Sequence, residues 1–359
     1  TVIAVTGSYG KTSTKDMVTC VHGHEKSCHS TIGNFNTEIG LPLTVLSAPD
    51  DVDALVLEMG MRGPGQIAEL VRIAEPNIGV ITNIGSAHIE LLGTRDAIAT
   101  AKTELFRGLS PDATAVYSEA IDFKTVVDAS AAHCRRFIVG ESEACDLIVS
   151  NVQLGRLETT FQLTHKGESV RAVVASPARF AAINGARAVA TGLAAGMTLS
   201  SCVTGLANWL PSEGRMRPRT MANGAVVLSD AYNAAPEAML AAISVLADIG
   251  SQTTGNTWAI LGEMRELGVE TKQWHLAIGE AVSTSGIQHL VIVGAAATDY
   301  RTGAILAGMS PEHVHYFDSP ASAAVVLQHV IGETDVVLIK GSRAAGLDLI
   351  VDMLCGGTS

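Results

Sequence analysis

The 359 residues carry 24 Lys+Arg against 36 Asp+Glu, a formal net charge of −12. That balance excludes a duplex-coating or anionic-membrane protein, but leaves room for a local loop that holds a nucleotide. Hydrophobic residues make up 47% and aromatics 4%, enough apolar surface for a packed core and too few rings for a base-stacking platform. The length suggests two domains, or three.

Short apolar strands alternate with helical segments in the first stretch. Thr1–Thr6 reads as a strand and Lys11–His22 as a helix. Ala54–Glu58 (strand), Gly65–Ala74 (helix), Ile78–Asn83 (strand) and Thr94–Gly108 (helix) follow. Such alternation implies parallel strands with crossover helices. Between Asp146 and Val174 the pattern becomes that of a few antiparallel strands, with a turn at Lys166–Gly167. Arg179–Ala195 is an Ala-rich helix. A second α/β series has strands at Val226–Ser229, Trp258–Leu261, Leu290–Val293, His313–Phe317 and Val336–Ile339. The boundary falls in the Pro-, Gly- and Arg-rich run Pro211–Pro218, giving domains 1–213 and 214–359. The expected fold is α/β: a P-loop domain with a parallel sheet and a small antiparallel sheet, then a Rossmann-like α/β domain.

No run of 18 apolar residues occurs, so no membrane span is expected, and no signal peptide is expected. Cysteines 20, 28, 134, 145, 202 and 355 show neither CxxC spacing nor a zinc pattern, which suits reduced thiols in a cytoplasmic protein. The chain opens without Met, already inside an apolar strand, so a segment upstream of Thr1 is expected.

The strongest chemical signal is Thr6-Gly7-Ser8-Tyr9-Gly10-Lys11-Thr12-Ser13. A strand leads in and a helix leads out. The glycines let backbone N–H groups turn toward phosphate oxygens. Lys11 is placed to reach the β- and γ-phosphates, and Thr12 to ligate Mg²⁺. The motif is TGxxGKT rather than GxxxxGK[ST], because position 5 is Val. Glu58 ends an apolar strand, at the edge where open sheets bind ligands, and suits Mg²⁺. His88, after the strand Ile78–Asn83, belongs to the same edge. Lys102, read from its residues alone, is a helix-surface lysine.

The segments TGSYGKTSTKDM, GNFNTEIGLPLT, LEMGM, ITNIGSAHIE, AKTELF, LSDAYNAAPEAM, LGEMRELG and KGSR together resemble the Mur ligases, in order and over nearly the whole chain. The resemblance implies an ATP-dependent amide ligase that joins D-alanyl-D-alanine to a UDP-N-acetylmuramoyl-tripeptide through an acyl phosphate. It implies that Gly7, Ser8, Gly10, Lys11, Thr12 and Ser13 bind ATP, and that Thr12, Glu58, His88 and Lys102 serve two Mg²⁺ ions. Lys102 would act as a carbamate, reversing its reading as a surface residue, and Lys11, Lys102 and His88 would be the catalytic set. Asn184 would contact adenine, Arg215 and Asp230 would also reach ATP, and Asn34, Asn36 and Thr37 would lie near the UDP-linked substrate. The implied protein is monomeric and has no nucleic-acid partner. Two departures stand out. The family's G-R-H-N run is here Ala178-Arg179-Phe180-Ala181, and the family's N-terminal uridine-diphosphate domain is not part of these residues. A ligase of the polyglutamate or cyanophycin type, or a P-loop module without ligase activity, remains open at this point.

Overall fold

The computed structural model describes residues 1–87 and 89–356. The described chain forms two compact units. One comprises 1–153, 159–174 and 179–209; the other comprises 154–158, 175–178 and the chain from Leu210 onward.

The sheet of the first unit contains β1 (Val2–Thr6), β2 (Cys28–Ser30), β3 (Ala54–Glu58), β4 (Ile78–Ile81), β5 (Thr114–Ser118), β6 (Arg135–Gly140), β7 (Leu147–Leu154), β8 (Thr159–His165) and β9 (Glu168–Val174). They lie in the order β2-β3-β1-β4-β5-β6-β7-β8-β9. Strands from β2 through β7 pair in parallel. β8 and β9 form an antiparallel hairpin, turning at Lys166 and Gly167, both with positive φ. The antiparallel strands extend the main sheet instead of forming a separate one: Val139 pairs with Leu147, so the edge of β6 is satisfied by β7. β2, β5 and β6 have no counterpart in the sequence reading. Each is three to six residues long, and β6 opens on Arg135 and Arg136, which mask its apolar end.

The register of the central strands decides where chemistry can occur. Val5 stands opposite Glu58 and Thr6 opposite Ile81. The C-terminal ends of β1, β3 and β4 therefore share one edge. Beneath it, Ala4, Leu57, Ile67, Leu70, Ile98, Leu105 and Phe106 form the core. These residues project from alternating strand positions and from one face of each helix, as packing between layers requires.

The expected helix Thr94–Gly108 is two helices, Arg95–Lys102 and Glu104–Arg107. Thr94 caps the first by accepting the Ala97 N–H at 3.2 Å. At the break, the Thr103 hydroxyl donates to the carbonyls of Ala99 and Thr100 at 2.8 and 3.0 Å. Such back-bonding competes with the helix ladder and bends it.

The second unit holds β10 (Arg217–Thr220), β11 (Val226–Asp230), β12 (Thr257–Leu261), β13 (His289–Val293), β14 (Val314–Phe317) and β15 (Val336–Lys340). Their order is β10-β11-β15-β12-β13-β14. All pairs are parallel except the edge pair β10–β11. Val227, Ile260, Val291, Val337 and Ile339 form its core with Ile350 and Val351 from the final helix.

One carboxylate organises the end of this sheet where β12 and β15 begin. Asp335 is buried. It accepts the Trp258 Nε1–H at 2.8 Å and the backbone N–H groups of Asn256 and Gly332 at 2.8 and 3.0 Å. Removing the acceptor leaves three donors without it, of which the Trp258 Nε1–H is buried. Asp335→Ala is expected to lower unfolding free energy by about 3 kcal/mol. Urea titration of both proteins checks this, and an unchanged midpoint would show that water replaces the carboxylate.

Candidate functional site

β1 ends at Thr6, and the next helix starts at Lys11 with Gly10 in the left-handed conformation at its N-cap. The helix therefore opens directly from the loop, and its first-turn N–H groups point back into it, the geometry that favours an anion. The loop is held from the side by the segment after β4. The N–H groups of Ser8 and Tyr9 donate to Asn83 Oδ1 at 3.1 and 3.0 Å. Asn83 Nδ2 and Thr82 Oγ1 both donate to the Tyr9 carbonyl, at 2.8 and 2.7 Å. The Gly85 N–H donates to Ser8 Oγ at 2.8 Å. Lys11 Nζ folds over the loop to the carbonyls of Gly7 and Ser8, at 2.9 and 3.3 Å. Ser13 occupies the first turn beside Thr12.

Glu58 closes β3 beside this loop. It is 3% exposed. Its backbone N–H donates to Thr31 Oγ1 and its Oε1 accepts Asn36 Nδ2, at 2.9 and 2.8 Å. Its Oε2 has no hydrogen-bond partner among the described residues. A buried carboxylate oxygen left unmatched is costly, and a hard cation is the partner that removes the cost. Of the three residues expected near the UDP-linked substrate, Asn36 is tied to Glu58, Asn34 lies exposed on the loop, and Thr37 is half-buried ahead of the helix Gly40–Leu46. His88 lies outside the described residues.

Lys102 is not a surface lysine. It follows Ile98 by four residues on the core-facing side of its helix, and it is 2% exposed. Burial, and then the nearby Lys11 charge, hold its amine well below the ordinary lysine range. The signal available in the sequence was this i, i+4 spacing from a core isoleucine.

Asn184 also comes to the loop. It is buried on the helix Arg179–Ala194, and a Cβ built on Gly10 would lie 3.4 Å from its Nδ2. Its Oδ1 accepts Arg187 Nη1 at 2.7 Å. Neither Arg187 nor Asn83 was assigned a role from the sequence. The sign for Arg187 was a charged residue three positions after Asn184 in an otherwise Ala-rich helix.

Arg215 and Asp230 belong to the second unit. Asp230 ends β11 opposite Lys340, the last residue of β15. Lys340 Nζ donates to Asp230 Oδ2 at 2.5 Å and to the Asn233 carbonyl at 3.0 Å. Asp230 Oδ1 accepts the Met216 N–H at 3.0 Å. This fixes the segment next to Arg215, whose guanidinium lies 4.0 Å from the centroid of the Tyr232 ring. Arg343 stands 5.4 Å from the same ring. The Lys340 contact explains the KGSR segment, to which spacing alone gave no role.

The chain is similar to known proteins over nearly its whole length. Residues 5–192 match the model for the Mur ligase middle domain, and residues 214–343 that for the Mur ligase glutamate ligase domain. The chain is 33% identical over 350 residues to the UDP-N-acetylmuramoyl-tripeptide--D-alanyl-D-alanine ligase of Bacillus subtilis, covering 98% of this chain and 75% of that protein. A crystal structure of MurF from Acinetobacter baumannii superposes with a TM-score of 0.88 at 29% identity, over 98% of this chain and 76% of that one. MurF ligase from Thermotoga maritima, solved in complex with ADP, gives 0.86 at 28% identity, over 99% and 79%.

Gly7 provides a test of the loop. Its φ of 149° disfavours any side chain, and an added Cβ would collide with Thr82 Oγ1. Gly7→Ala should destabilise the protein by about 2 kcal/mol and weaken adenine-nucleotide binding at least tenfold. Calorimetry of unfolding and of ADP binding measures both; normal binding would mean that the loop reshapes freely.

Proposed function

The chain belongs to the Mur ligase family and is an ATP-dependent ligase, and from that premise we propose that it joins D-alanyl-D-alanine to a UDP-N-acetylmuramoyl-tripeptide in the cytoplasm. In this assignment residues 1–213 form the ATP-binding domain and 214–359 the C-terminal domain. The observation that carries it is the unmatched Oε2 of Glu58 on the same sheet edge as the phosphate loop. The names of the relatives support the substrates.

A carboxylate does not react with an amine until its oxygen becomes a leaving group. The tripeptide's terminal carboxylate oxygen attacks the γ-phosphorus of ATP. The new O–P bond forms as the bond to the β–γ bridging oxygen breaks, and ADP departs. The amine of D-alanyl-D-alanine then attacks the acyl carbon. The C–O bond breaks, phosphate leaves with the electron pair, and the nitrogen loses its proton. In the first step Lys11 exchanges its loop carbonyls for phosphate oxygens and neutralises charge as it spreads over them. The first-turn N–H groups of Gly10–Ser13 orient the phosphates. Precise placement of the two reactants supplies much of the rate.

Thr12, Glu58, His88 and Lys102 are the residues assigned to hold Mg²⁺, which when bound supplies charge stabilisation at the phosphates. For Lys102 this role requires a carbamate: an ammonium repels a cation, whereas a carbamate brings two oxygen donors and a negative charge. Its buried amine, held toward the neutral form, supports that modification. Gly7, Ser8, Gly10, Asn184, Arg215 and Asp230 are assigned to ATP, and Asn34, Asn36 and Thr37 to the UDP-linked substrate.

ADP release should require both the UDP-linked tripeptide and D-alanyl-D-alanine. Lys11→Ala should lower it at least a thousandfold with the fold intact, the scale set by loss of a cationic contact to a transferring phosphoryl group. A coupled ADP assay with each substrate omitted in turn checks this; full turnover without the dipeptide would refute the ligase assignment. Lys102→Ala should be inactive, and short-chain carboxylic acids should restore part of its activity. Wild-type turnover by that variant would remove Lys102 from the site.

A further inference from the structure

The helix that carries Asn184 holds a second buried polar residue one turn on, which neither the family resemblance nor the proposed chemistry uses. Arg187 and Asn184 are each 6% exposed. Arg187 Nη1 donates to Asn184 Oδ1 at 2.7 Å and Nη2 to Ser118 Oγ at 3.0 Å. Both partners are neutral, and Nε has no hydrogen-bond partner among the described residues. Burial pushes the guanidinium down to about 10, which leaves it cationic at neutral pH. A guanidinium has donors and no acceptor. Asn184 therefore meets it only through Oδ1, and the orientation of the carboxamide is fixed by chemistry. Its amino end is the nearer to the loop, 3.4 Å from a Cβ built on Gly10 against 3.8 Å for Oδ1.

We propose that Arg187 is a nucleotide-positioning residue: it locks Asn184 with its amino group toward the phosphate loop, so that the site offers the nucleotide a donor rather than an acceptor. Such a donor suits an unprotonated ring nitrogen or a ribose or phosphate oxygen. The inference rests on the assignment of Asn184 to ATP. It also accounts for a departure in this chain. Phe180 and Ala181 stand where the resemblance leads one to expect His and Asn, so that part of the helix brings no polar side chain from those two positions. Arg187 supplies polar support from about two turns further along the same helix. Without it, the carboxamide is free to turn and present its carbonyl oxygen, which repels the same ligand atoms.

The test is a double-mutant cycle on the whole chain, read as the Mg·ATP dissociation constant by calorimetry, with melting temperature as the control for folding. Arg187→Met and Asn184→Ala should each weaken ATP about tenfold, the loss expected for one directed hydrogen bond. The double variant should also lose about tenfold rather than the product of the two, because one residue acts through the other. Ser118→Ala breaks the other guanidinium contact and should stay within about twofold of wild type. Wild-type affinity in folded Arg187→Met, or additive losses in the double variant, would overturn the proposal. If Arg187→Met does not fold, Asn184→Asp decides: it keeps an acceptor for Arg187, strengthens that contact and removes the amino donor. Its melting temperature should be no lower than wild type, with ATP weakened at least tenfold; normal ATP binding would overturn the proposal. Failure of the wild-type chain to bind Mg·ATP would instead remove the ATP assignment itself, before any variant is compared.

Discussion

The phosphate loop keeps its shape because Asn83 satisfies it from the neighbouring strand end. One carboxamide accepts two loop N–H groups and donates to a loop carbonyl. A curled backbone of this kind otherwise leaves buried polar groups unmatched. Asn83 is in place because β4 lies in register against β1, and Glu58 because β3 lies in register on the other side. The two central ladders thus place an anion-binding loop and a candidate cation ligand on one edge. The hydrophobic core beneath holds that alignment, since a one-residue slip in either ladder would move every side chain to the opposite face.

The charge around the phosphate loop runs against that of the whole chain. The protein is acidic, yet Lys11, Lys102 and Arg187 gather around one loop, and two of the three are buried. Like charges confined to a dry region raise each other's energy. Burial first, and then the Lys11 charge, push Lys102 toward its neutral form, while Lys11 lies on two carbonyl oxygens. Arg187 is instead held by two neutral oxygens. The negative charge of a triphosphate would offset this concentration of cations.

The parts of this arrangement legible in the sequence are those dictated by the backbone. TGSYGKT announces itself because a strand–loop–helix turn with a close backbone approach needs glycine at Gly7. Glu58 could be read from its place at the end of an apolar run. The strands of the second unit could be read because each is a compact run of β-branched and aliphatic residues. What stayed hidden depends on distant partners. The burial of Lys102 follows from which face of its helix packs inward. Arg187 and Asn83 matter through contacts with residues far from them in sequence. The break at Thr103 is a local hydroxyl contact that helix propensity does not reveal. β5 and β6 are short, and their neighbours in the sheet identify them better than their own composition.

The order of strands has a consequence for how the protein is made. β1 lies between β3 and β4 in its sheet but precedes both of them in the chain. Thr6 bonds to Met59, 53 residues later, and Ser8 to Asn83, 75 residues later. A ribosome adding about 5–20 residues per second leaves the apolar segment Val2–Thr6 unpaired for several seconds. During that interval the segment that will carry the phosphate loop is a bare hydrophobic strand, open to wrong pairing. Holdase chaperones that shield short apolar stretches should therefore engage β1 on nascent chains and release it once β4 has emerged.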